Sequence, residues 1–192
     1  MPGEGQTPFS TGCQDTLSFS MLEIEIDISD QQSILTVSHE RLQEVVHRVL
    51  VEEAITQAQI SLALVDDSTI HRINRDFLGH DYPTDVISFH LNHDENDDTA
   101  AGGHSDICGS HSDDGPRPHS LDGELIVSTE TAVREAHAHG WLAEDELILY
   151  VVHGLLHLCG YDDLTDDARP LMRSRERQML ALWELTPTGL EA

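Results

Sequence analysis

The sequence predicts an α+β (α/β-like) single domain, with one central four-stranded mixed sheet, about five helices, and a metal site on a buried helix. Three observations carry that expectation. Strand-length runs of alternating or continuous apolar residues are interleaved with longer segments whose apolar residues recur at helical spacing. One of the helical segments, from Leu147 to Val152, is apolar nearly all round and so belongs inside the domain. The same segment continues into His153 and His157, which stand four apart and project from one helix face, where they can grip a single ion.

Residues 1–20, rich in Gly, Ser, Thr and Pro without periodicity, are expected to be a disordered tail, and the domain is expected to span 21–185. Leu22, Ile24, Ile26 and Ile28 alternate with Glu23, Glu25 and Asp27, the pattern of a half-buried strand. Ser38 is placed to cap a helix that carries Leu42, Val45, Val46, Val49 and Leu50 on one face. Ile60, Leu62 and Leu64 mark a second strand. Asp66 or Asp67 caps a short helix through Ile70, Ile73 and Phe77, and after Pro83 the β-rich run Val86–Phe89 gives a third strand.

From 90 to 121 the chain turns to Asn, Asp, His, Gly, Ser and Pro with no recurring core position. This is expected to be an acidic, His-rich insertion that stays mobile. His90, His93, His104, His111 and His119 lie in it, but no two share a tight ligand spacing, which favours a solvated loop over a metal-scavenging one. Leu125–Val127 is a short apolar strand inside the sheet. Ser128 starts a helix ended by Gly140, and residues 145–159 form the buried helix, stopped by Gly160. A last helix over 167–183 accepts Pro170 in its first turn and turns Leu171, Met172, Met179, Leu180 and Trp183 inward. Residues 186–192 are a tail.

Beyond Gly160, Asp162 and Asp163 can fold back toward the histidines, and two imidazoles, one carboxylate and an open fourth position form a catalytic zinc pattern. With 13 histidines in 192 residues, chance supplies roughly one such pair, so spacing alone does not separate a metal site from two satisfied core histidines. A ligating pair would act through zinc as a Lewis acid that makes water nucleophilic near neutral pH. The H-E-x-x-H arrangement of zinc proteases is absent. Gly154 occupies the position of its glutamate base, and glycine there instead admits close packing of another segment.

Hydrophobic residues at 39% and charged ones at 24% are globular values, whereas a formal net charge of −26 is extreme for the length. All ten basic residues are arginine. So acidic a chain repels nucleic acid at long range. Arg169, Arg173, Arg175 and Arg177 cluster near the C-terminal end, where a solvated helix face is favoured over an RNA contact. The three cysteines, Cys13, Cys108 and Cys159, are irregularly spaced, and no stretch reads as a signal peptide or membrane span, so a cytoplasmic protein is expected. Cys159 is expected to be a small buried apolar residue rather than a ligand.

The run H-G-L-L-H-L-C-G-Y-D-D at 153–163 resembles H-G-x-L-H-L-x-G-Y-D-H, the signature of the YbeY-type endoribonuclease family of bacterial rRNA maturation factors. D-Y-P-T-D-V-I-S-F at 81–89 is similar to that family's D-x-P-T-D-V-L-S-F, and G-E-L-I-V-S at 123–128 to its G-D-I-x-I-S. The resemblance implies the same fold and a zinc-dependent, single-strand-specific endoribonuclease with one Zn2+ per chain. It implies rRNA processing, maturation of the 3′ end of small-subunit rRNA included, and partners in pre-rRNA and the ribosome or its small subunit. It implies His153 and His157 as metal ligands and puts Asp163 where the family has its third histidine. A second departure touches phosphate binding. The family carries arginine after the aromatic before its P-T-D-V segment, whereas here Leu78 follows Phe77, and His80 stands where lysine is common. Arg75, three residues before Leu78, is the candidate catalytic cation, weighed against a surface arginine paired with local acid. Asp163 and Leu78 keep open a non-catalytic ribosome assembly factor with a structural metal. A metal hydrolase of another substrate is the third reading. No general base is evident: Asp162 suits a turn cap or a ligand-orienting role, and Glu124 has no assigned one.

Overall fold

A computed structural model of the chain describes residues 22–91 and 120–186. The expected tail at 1–20, the tail at 186–192 beyond its first residue and most of the 90–121 insertion, with Cys13, Cys108, His93, His104, His111 and His119, lie outside the described residues. In chain order the elements are β1 (Glu23–Asp30), α1 (His39–Glu52), β2 (Gln57–Val65), α2 (Asp67–Ile73), a π-helical turn (Asn74–Leu78), β3 (Val86–His90), β4 (Ser120–Ser128), α3 (Thr129–His139), α4 (Ala143–Leu158), α5 (Ala168–Leu180) and a 3-10 turn (Ala181–Trp183). The sheet runs β1-β2-β4-β3, with β1, β2 and β4 parallel and β3 antiparallel to β4. The fold is the single-domain α+β arrangement with one mixed sheet.

The helix starts follow from side-chain caps. Ser38 Oγ accepts from Arg41 N, Asp66 Oδ1 from Thr69 N at 2.8 Å, and Ser128 Oγ from Thr131 N at 3.1 Å, each satisfying a donor that the first turn leaves orphaned. Leu42, Val45, Val46, Val49 and Leu50 are buried on α1, as their spacing requires. Strand parity then splits the core. Leu125 and Val127 face the main cluster beneath α4, while Ile126 faces the other side with Val65, Ile70 and Ile87.

Three expectations change. The short helix does not keep Phe77 inward: it widens into the π-helical turn at Asn74 and closes at Gly79, whose φ of +74° is left-handed, leaving Phe77 68% exposed. The fourth strand is longer than Leu125–Val127 and the third reaches His90, because Ser120, Leu121 and Asp122 belong to β4, which pairs with β2 from Gln57↔Ser120 to Val65↔Ser128. Ladder bonds use the backbone, so Ser, Asp and Gly concealed that half of the strand. On α5, Met172, Met179 and Leu180 are buried but Leu171 is 52% exposed, and the inward position between the methionines is taken by Glu176.

α4 packs against β3, β4, α1, α3 and α5. Leu147, Ile148, Val151, Val152, Leu155 and Leu156 are fully buried along it. Gly154 makes the close approach to the sheet possible: a Cβ there would stand 2.8 Å from Leu125 Cδ2 and 3.0 Å from Val86 Cγ2. Both neighbours are held within the packed core, so Gly154→Ala is expected to lower unfolding stability by about 1–3 kcal/mol. Urea denaturation checks this; an unchanged midpoint would mean that Leu125 and Val86 move aside freely.

Candidate metal centre

His153 and His157 are one turn apart near the C-terminal end of α4, and their Nε2 atoms lie 3.0 Å from each other. The helix ends at Leu158, and Gly160, at φ +92°, reverses the chain. That reversal brings back Asp163, whose Oδ2 is 3.9 Å from His153 Nε2 and whose Oδ1 is 3.7 Å from His157 Nε2. The three ligand atoms lie within 4.8 Å of one another, a group that can hold a metal ion. Asp162, the other sequence candidate, is used locally, where its Oδ1 accepts from Leu164 N at 3.0 Å and closes the turn.

What lies behind the imidazoles decides their protonation. His157 Nδ1 is 3.0 Å from the carbonyl oxygen of Tyr161, which can only accept, so Nδ1 carries the proton. His153 Nδ1 is 2.6 Å from Glu176 Oε1, and the side chain of Glu176 is wholly buried. Burial works to raise the Glu176 pKa, but the hydrogen bond and charge of His153 and the Arg173 guanidinium, 3.0 Å away, outweigh it and hold the carboxyl below its ordinary range. An ionised Glu176 accepts, so His153 Nδ1 also donates. At His157, burial and then the neighbouring His153 push the pKa below the ordinary histidine value, favouring the neutral ring. In the neutral tautomers each Nε2 presents a lone pair to the other at 3.0 Å, a repulsive arrangement that a shared cation relieves.

The donor set fits zinc in kind and spacing. Two neutral imidazoles and a carboxylate are a catalytic-type ligand set, and bonds of about 2.0–2.2 Å at tetrahedral angles separate donors by about 3.3–3.5 Å. The observed separations of 3.0, 3.7 and 3.9 Å bracket that range. The side chains of His153, His157 and Asp163 are 17%, 20% and 26% exposed, so the group opens to solvent on one side. Such an opening leaves room for water or substrate as a fourth ligand.

Arg75 is not part of this group. It lies on the π-helical turn, half exposed, with its Nε and Nη2 each 3.0 Å from Asp76 Oδ1. Glu124 sits on β4 opposite Phe89, outside the cluster. Cys159 is buried in the main core cluster. Two arginines of α5, Arg173 and Arg175, depart from the expected solvated face and bond buried acid, whereas Arg169 and Arg177 are exposed as expected. Arg173 holds Glu176, Arg175 Nε donates to buried Glu53 at 2.5 Å, and Arg169 reaches the Asp163 carbonyl at 3.2 Å and Asp166 at 3.0 Å. The sequence reading missed Glu176, although a glutamate between Met172 and Met179 on an inward stripe is the signal for a buried charge with a partner. The Tyr161 carbonyl is backbone and leaves no mark in the sequence.

An α+β domain with a candidate metal centre on its central helix is thus the class defined by fold and site. A family model described as Endoribonuclease YbeY matches residues 25–184. The chain is 34% identical over 168 residues to Endoribonuclease YbeY of Halalkalibacterium halodurans, covering 86% of this chain and 99% of that one. It is 37% identical over 163 residues to Endoribonuclease YbeY of Moorella thermoacetica, covering 82% and 96%, and 36% identical over 159 residues to that of Syntrophotalea carbinolica, covering 81% and 93%. The chain belongs to the YbeY endoribonuclease family.

Metal content by elemental analysis separates the roles. Asp163→Ala is expected to lose the metal and Asp162→Ala to keep it, while Glu176→Gln weakens affinity about 10–100-fold by loosening His153. Full metal in Asp163→Ala together with loss in Asp162→Ala would assign the third ligand to Asp162.

Proposed function

We propose that this chain is a zinc-dependent endoribonuclease that cleaves single-stranded RNA. One ion per chain is held by His153, His157 and Asp163. The substrate is pre-rRNA, the 3′ end of small-subunit rRNA included, met at the ribosome or its small subunit in the cytoplasm. The observation that carries the reading is the pair of Nε2 atoms facing each other at 3.0 Å, each backed by an engaged Nδ1. Family membership supports RNA as the substrate class. No helix among the described residues is long and apolar enough to cross a membrane.

His153, His157 and Asp163 would hold a zinc ion, which would supply a Lewis acid for a phosphoryl oxygen and for water near neutral pH. The chain's own residues do the positioning. Glu176 and the Tyr161 carbonyl fix both tautomers and ring planes, and the turn closed by Asp162 sets the position of Asp163. Gly154 in place of a glutamate after the first histidine leaves the centre without the base a peptidase of this helical type uses. Arg75 is the proposed phosphate contact in place of the arginine absent at Leu78. Its guanidinium is exposed and engages Asp76 alone among the described residues, so a phosphate can compete for it.

Cleavage of a labelled single-stranded RNA, with and without chelator, tests the reading. Wild type is expected to cut and to stop on chelation, His157→Ala to be inactive, and Arg75→Ala to cut more slowly while keeping its metal. Asp163 offsets part of the metal charge that a third imidazole would leave in place, so Asp163→His should keep the metal and shift the pH profile toward acid. Undiminished cutting by chelated wild type would remove the metal from the mechanism.

A further inference from the structure

The segment between α2 and β3 carries an arrangement that the metal centre does not use. After Gly79 the chain folds back on itself and is pinned twice: His71 Nε2 lies 2.9 Å from Asp81 Oδ1, and the buried Asn74 side chain donates to the Tyr82 carbonyl at 2.8 Å. On this pinned loop the His80 and Tyr82 rings stack with centroids 5.5 Å apart and planes 12° from parallel. Tyr82 is nonetheless 54% exposed. Phe77, 68% exposed, stands on the preceding turn with its ring 6.0 Å from Phe89 in an edge-to-face arrangement. Large rings left in water on a loop whose backbone is fixed are organised for a ligand with flat faces.

Charge narrows the ligand. Arg41 and Arg48 on α1, Arg134 on α3 and Arg175 on α5 are each engaged by carboxylates. Arg72, exposed on α2 beside His71, has no ion pair or hydrogen bond among the described residues. In a chain of net charge −26, binding of a polyanion through many cations is unavailable. Stacking on bases with one or two cations for the backbone remains open. The loop also leads to the metal helix, since four residues after Tyr82 the chain reaches Val86, which packs against Gly154 between the two metal-binding candidates on α4.

We propose that Phe77, His80 and Tyr82, with Arg72, form a stacking platform that holds unpaired bases of the strand entering the metal centre. The proposal rests on the endoribonuclease reading and deepens it. Here recognition is directed at base faces, with Arg72 beside the rings for the backbone. Such a platform rejects duplex, whose bases are already stacked, and so contributes to single-strand preference.

The test is fluorescence anisotropy of the metal-loaded full chain with a labelled oligodeoxyadenylate, which lacks the 2′-OH, and with an abasic strand of equal length. Tyr82→Ala and Phe77→Ala are each expected to weaken oligodeoxyadenylate binding about tenfold and to leave the abasic strand unaffected, with Tyr82→Phe restoring affinity. The Asn74 bond is made to the Tyr82 backbone, so removing the ring keeps the loop pinned. Arg72→Gln should weaken both strands and reduce the salt slope by about 0.7. Equal losses on both strands, or none, would overturn the platform, as would self-association of wild type that the ring variants abolish. Wild type that neither binds nor cuts any single-stranded RNA would overturn the endoribonuclease reading and the platform with it, whereas wild-type cleavage with inert ring variants overturns the platform alone.

Discussion

The structure turns on two imidazoles whose Nε2 atoms are forced together at the end of a buried helix. A helix as apolar as α4 gains by burial on every side, and its two histidines gain nothing from it unless each ring nitrogen finds a partner. The two Nδ1 atoms are satisfied from different directions, one by a charge on α5 and one by a carbonyl in the turn beyond Gly160. Both neighbouring elements therefore bond the histidines as well as packing on the helix. Among the described residues no buried side-chain nitrogen or oxygen is left without a hydrogen bond.

Around this pair the arginines act as internal ties in an acidic molecule. Arg175 bonds Glu53 at the end of α1 and also the Glu52 carbonyl, and the Tyr161 hydroxyl reaches the same Glu53 carboxylate at 3.3 Å. A chain of contacts thus runs from α5 through Glu53 at the end of α1 to the residue whose carbonyl orients His157. Buried ion pairs of this kind contribute little net stability, because desolvation offsets their attraction, but breaking one strands a charge. Their effect here is to select one arrangement of helices, which is what a site with distances near 3–4 Å requires.

The fold was legible where backbone conformation and side-chain pattern agree. Helix starts at Ser38 and Ser128, the ends at Gly140 and Gly160, and the burial of α4 follow from residue chemistry alone, while the structure chooses Asp66 over Asp67 as the cap of α2. Legibility failed where the backbone carries the information. The first half of β4 is held by parallel pairing to β2 despite its polar composition, and the π-helical turn that exposes Phe77 starts at Asn74, whose side chain bonds the distant Tyr82 carbonyl. His153, His157 and Asp163 come together as their spacing and the family signature imply, whereas the inward place of Glu176 signals a buried charge but not its partner, His153, 23 residues away.

Two imidazoles and one carboxylate make the candidate ligand set the chemically distinctive feature of the site. Zinc K-edge absorption spectroscopy of the metal-loaded protein addresses it directly. The predicted first shell is nitrogen and oxygen only, at about 2.0–2.2 Å, with outer-shell scattering from two imidazole rings. A sulfur shell at about 2.3 Å would bring Cys159 into the site, and scattering without paired imidazoles would contradict the centre altogether.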